Sequence, residues 1–87
     1  MEAKIRQQRK KIDEIDKKIV LLLHERVEIC KDIGEEKRIQ GLPVNDAKRE
    51  EEVYNHVRER ATELSLNPTK IEAVYREIVN ICKSVQE

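Results

Sequence analysis

The stretch Arg9–Lys37, RKKIDEIDKKIVLLLHERVEICKDIGEEK, decides the fold. Counted from Ile5, positions 5, 8, 12, 15, 19, 22, 26, 29 and 33 keep the alternating three-and-four spacing of a heptad seam, and all but Gln8 and Arg26 are Ile or Leu. No Gly or Pro interrupts the chain before Gly34, while Gly41 and Pro43 supply a stop. The spacing therefore predicts one helix over about residues 4 to 39, roughly 50 to 55 Å long at 1.5 Å per residue. A compact chain of this size would measure only about 30 Å across. Such a helix cannot be covered by its own chain, so a partner copy is expected.

Outward from that helix, Gln40-Gly41-Leu42-Pro43-Val44 reads as a turn. Asn45 or Asp46 can cap a second helix with an apolar stripe of Val53, Val57, Ala61 and Leu64. Asn67 followed by Pro68 opens a third, which carries Ile71, Val74, Tyr75, Ile78, Val79, Ile81 and Cys82 towards the C-terminus. No strand pattern or internal repeat is present. The expectation is a single all-α domain over residues 1–87, with one long and two shorter helices.

Composition narrows the function. The chain has 18 basic and 18 acidic residues and no net charge, which gives no general pull towards nucleic acid or an anionic membrane. Any anion site must be local. The longest apolar run, Ile19–Leu23, is far short of the roughly 20 residues that span a bilayer. Cys30 and Cys82 lack neighbours at metal-ligand spacing, and with no signal peptide after Met1 they point to a reducing cytoplasm. No metal site is expected, and His24, about 200° around the helix from Arg26, and His56 read as solvent-facing.

The informative residues are the polar ones that break the apolar stripes. Arg26 occupies a seam position, and Lys37, 11 residues on, lies within about 20° of the same face and about 16 Å along the axis. Arg9 points about 100° away from Arg26. Glu50, four residues after Asp46 and next to Arg49, is a carboxylate at the head of the second helix's stripe. Gln86 ends the row Tyr75, Val79, Cys82 on the third. Two readings stay open on the residues alone. Arg26 can pair with a carboxylate such as Glu50 and fix helix register, the other charges being solvated, or the set can form a pocket for a small dianion gripped by bidentate arginine. Gly34, unfavourable inside a helix by about 1 kcal/mol relative to Ala, marks a close approach or is merely tolerated.

The segments Arg9-Lys10-Lys11-Ile12-Asp13-Glu14-Ile15-Asp16, Leu21-Leu22-Leu23-His24-Glu25-Arg26, Ile33-Gly34-Glu35-Glu36-Lys37 and Pro43-Val44-Asn45-Asp46-Ala47-Lys48-Arg49-Glu50 resemble, in order and spacing, the all-helical class of chorismate mutases. The resemblance covers nearly the whole chain. It implies an intertwined homodimer of three-helix chains whose two sites draw on both subunits, and rearrangement of chorismate to prephenate without metal, cofactor or covalent intermediate. It further implies that Arg26 and the partner copy's Arg9 grip the substrate carboxylates and that Lys37 and Gln86 donate to the ether oxygen. Glu50 would accept from the ring hydroxyl, with Asp46 and Arg49 completing the pocket. Cys82 would be a further substrate-binding residue, standing where relatives commonly carry a Ser whose hydroxyl helps hold a carboxylate, and a thiol is the weaker donor. Gln86, the penultimate residue, is expected in a frayed turn that ligand binding orders. The alternatives are an isochorismate-pyruvate lyase of the same fold and a non-catalytic helical dimerisation module.

Overall fold

The computed structural model describes residues 1–87 as three helices with no strand: α1 (Glu2–Gln40), α2 (Ala47–Glu63) and α3 (Pro68–Gln86). Their ends follow from local chemistry. Gly41 closes α1 in the left-handed conformation (φ 71°), with its N–H bonded to the Arg38 carbonyl and that of Leu42 to the Lys37 carbonyl. This closure favours glycine, which has no Cβ to clash at positive φ. Of the two candidate caps for α2 it is Asp46 that acts, its carboxylate accepting from the Arg49 backbone N–H at 3.0 Å. Asn67 Oδ1 accepts from the N–H groups of Thr69 and Lys70, and Pro68 takes the first turn, where it gives up no helical hydrogen bond.

α3 packs against both other helices, whereas α1 and α2 do not pack on each other. The buried set is small: Cys30 and Gly34 from α1, Tyr54 and Ala61 from α2, Val79, Cys82 and Gln86 from α3. Leu64, expected on the buried stripe of α2, is exposed, and Tyr54 is buried instead, with the Arg76 guanidinium 4.4 Å over its ring. Glu72 bonds both Arg58 and Arg76, which clasps α2 to α3 and holds its carboxyl below the usual range.

α1 outruns this packing. All of residues 1–22 are exposed, the molecule measures 59 × 24 × 15 Å, and its radius of gyration is 16.6 Å, against roughly 12 Å for a compact chain of this length. The stripe of α1 that faces α3 is Leu23, Val27, Cys30, Gly34 and Lys37. It lies one residue, about 100°, around from the heptad seam. Ile5, Ile12, Ile15, Ile19, Leu22, Ile29 and Ile33 are consequently left between 45% and 61% exposed. No helix is long and apolar enough to cross a membrane.

Candidate active site

Because α1 and α2 stand apart on a shared α3, a cavity of about 370 Å³ opens between them. α1 contributes Arg26 and Lys37, the head of α2 contributes Asp46, Arg49 and Glu50, and α3 contributes Cys82, Lys83 and Gln86. Ile29, Ile33, Val44, Val53 and Val79 supply apolar wall between them. Seven of the eight residues singled out from sequence are thus brought together. Arg9 is not: it is exposed on the free half of α1, about 25 Å along the axis from Arg26.

Arg26 is half-buried and has no carboxylate partner in the chain. The register-fixing pair with Glu50 is not formed. Its guanidinium instead lies against the sulfur of Cys82, with Cys30 Sγ at 4.0 Å and the Tyr75 ring centroid at 5.9 Å. These are weak or neutral neighbours for a cation and leave its bidentate edge without a strong acceptor. Burial, reinforced by the neighbouring Cys82 sulfur, pushes the Cys30 thiol up to about 11, so it stays protonated at neutral pH and is no nucleophile.

At the other end of the cavity Lys37 Nζ donates to Gln86 Oε1 and to the Val44 carbonyl, both at 2.9 Å. With its oxygen engaged there, the Gln86 amide presents its NH₂ group as a donor. The frayed terminal turn expected from sequence is absent. α3 continues through Gln86, which is 8% exposed, and Arg38 donates to its backbone carbonyl at 3.2 Å. The reason lies opposite. A Cβ on Gly34 would stand 2.8 Å from Gln86 Cα, so glycine is what lets the last turn of α3 seat against α1. Gly34 marks a close approach.

Glu50 pairs with Lys83, Nζ to Oε1 3.4 Å. Lys83 escaped the sequence reading because a lone lysine on a charged helix looks solvated. One signal was available: it follows Val79 by four residues and precedes Gln86 by three, and so shares their face. Arg49 and Asp46 sit at the exposed rim, where Arg49 also meets Glu52 at 3.3 Å. In all, four basic and two acidic residues line the cavity, an excess of two positive charges in a chain whose net charge is zero.

An all-helical chain with a concave site carrying an excess of two positive charges defines a class: a helical protein with a cavity whose charge suits a small anion. Comparison with known proteins gives the family. The sequence profile of the family described as chorismate mutase type II matches residues 8–87, and the chain belongs to that family. It is 34% identical over 87 residues to a chorismate mutase of Methanocaldococcus jannaschii, covering all of this chain and 88% of the relative. It is also 35% identical over 86 residues to a bifunctional chorismate mutase/prephenate dehydratase of Aquifex aeolicus, of which it spans only 24%. A solved structure of a conserved hypothetical protein from Pyrococcus furiosus superposes with a TM-score of 0.76 at 37% identity, over 95% of both chains.

Proposed function

We propose that this protein is a chorismate mutase, converting chorismate to prephenate as a homodimer on the route to Phe and Tyr. The observation that carries the reading, beside family membership, is the cavity's excess of two positive charges around an Arg26 that has no carboxylate partner. The reaction breaks the ether C–O bond of chorismate as the enolpyruvyl methylene forms a C–C bond to the ring. No proton, electron or group enters or leaves. The protein has to hold the side chain folded over the ring and stabilise the negative charge that grows on the ether oxygen.

Arg26 takes one substrate carboxylate and the partner copy's Arg9 the other. Lys37 and the Gln86 amide donate to the ether oxygen, Glu50 accepts from the ring hydroxyl, and Asp46 and Arg49 close the rim. Cys82, in contact with Arg26, orients that guanidinium more than it binds substrate. Support for the homodimer comes from the exposed seam of α1 and from the length of helix that α2 and α3 leave uncovered.

The test is a chorismate assay with prephenate detection, run beside isochorismate with pyruvate detection. Prephenate formation is expected to dominate. Arg26→Ala is expected to lower kcat/KM by roughly 10²-fold or more, the loss typical of a charge-stabilising group, with helicity and association state unchanged. Full turnover in Arg26→Ala, or pyruvate release exceeding prephenate formation, would overturn the assignment.

A further inference from the structure

Lys83 is the one cation of the cavity wall without a task in the reading above. Its pair with Glu50 is the only ion pair with both members in that wall, and it ties α3 to α2 across the opening. The two side chains are 32% and 27% exposed, so solvent screens them only in part. No other cation serves Glu50. Arg26 lies against the two sulfurs, Lys37 is committed to Gln86 and Val44, and Arg49 meets Glu52.

A carboxylate in a site for a dianion creates a conflict. Glu50 is useful as an acceptor for a hydroxyl, yet its charge repels the ligand that the cavity must hold, and in a half-buried site that repulsion is stronger than in water. We propose that Lys83 resolves the conflict: it is a charge-balancing residue that cancels Glu50 and keeps the wall at the two positive charges that complement a dianion. The inference rests on the reading of the cavity as the seat of a dianionic substrate. Lys83 acts through Glu50, not by gripping the ligand, and is in that sense a positioning and specificity-determining residue.

The test is calorimetric titration of prephenate, the product dianion, into the purified protein and four variants: Lys83→Met, Lys83→Arg, Lys83→Met/Glu50→Gln and Arg26→Ala. Lys83→Met is expected to weaken prephenate binding roughly tenfold, the effect of one unbalanced charge near a dianion in a partly screened site. In kinetics it should raise KM with little change in kcat, because substrate and transition state carry the same charge. Lys83→Arg should bind as the parent does. Glu50→Gln added to Lys83→Met should recover most of the lost affinity, since the amide removes the unbalanced charge and still accepts from a hydroxyl. A merely structural ion pair would alter unfolding and leave affinity unmoved. The proposal is overturned if Lys83→Met binds prephenate normally, or if the double variant stays as weak as Lys83→Met, which would make Lys83 a direct ligand contact. Arg26→Ala separates the levels. Weak binding there with normal binding in Lys83→Met removes only the role of Lys83; normal binding in both removes the dianion site.

Discussion

Gly34 and Gln86 are best understood as one contact. The glycine leaves room on α1, and the amide that fills it is oriented by Lys37. Alanine at position 34 would gain about 1 kcal/mol in helix propensity, but the clash is with a backbone atom and cannot be relieved by turning a side chain. Overpacking of this kind costs about 1 to 3 kcal/mol, so Gly34→Ala is expected to lower the urea midpoint and, by displacing Gln86, to reduce kcat. Unchanged kcat would detach Gln86 from the chemistry. Cys30 offers a pH test. Its thiol ionises at about 11 in the folded chain against 9.0 as the reference value. Above pH 9 the unfolded chain has lost a proton that the folded chain still holds, so the stability from the neutral buried thiol is complete below pH 9 and declines as pH rises towards 11. Urea midpoints measured from pH 8 to 11 should fall, and fall less steeply in Cys30→Ala. The Cys30 thiol was readable as inert only once its burial was known.

At the scale of the elements, the helix ends carry most of what can be tested locally. Asn67→Ala removes the acceptor for two N–H groups at the start of α3 and is expected to cost about 1 kcal/mol in equilibrium unfolding. Ser65, just past α2, is the one non-glycine residue at positive φ (59°), and it allows Leu66 N–H to reach the Ala61 carbonyl at 2.8 Å. Ser65→Gly is therefore expected to stabilise the fold by about 0.5 to 1 kcal/mol, a gain that a denaturation curve resolves. Helix number, type and the Asn67-Pro68 start were legible because periodicity and capping act within four or five residues. Less legible was which stripe of α1 would meet α3. The heptad seam was the strongest apolar signal, yet α3 docks one residue round from it, on Leu23, Val27, Cys30 and Gly34.

For the whole molecule, the seam left open by that docking is the ground on which the homodimer is proposed. Five aliphatic side chains outside the cavity, Ile5, Ile12, Ile15, Ile19 and Leu22, are 49% to 61% exposed on a helix that extends well past its neighbours, an apolar surface of the kind a twofold dimer would cover. If the partner's Arg9 completes each cavity, Arg9→Ala and Arg26→Ala homodimers should both be nearly inactive. Unfolding and refolding the two together should restore activity, because half of the dimers are mixed and each carries one intact site; about a quarter of the parent's activity is expected. Sedimentation velocity should show one dimeric species throughout, and a fully active monomer would remove the shared-site reading.

The sequence by itself determined three helices, the Asn67-Pro68 start of the third and a choice of two caps for the second, a long helix too extended for one chain, and a set of polar side chains on helical faces. Those follow from spacing along a single helix, which the backbone geometry makes nearly invariant. Tertiary structure alone decided who meets whom. Glu50 pairs with Lys83 and not Arg26, Gln86 is seated by Gly34 and Lys37 instead of fraying, and the heptad seam is left exposed from Ile5 to Leu22 while Arg26, Ile29 and Ile33 border the cavity. Such pairings depend on how far and at what angle helices cross, and a shift of one residue turns a side chain by about 100°, enough to exchange an ion pair for an empty contact.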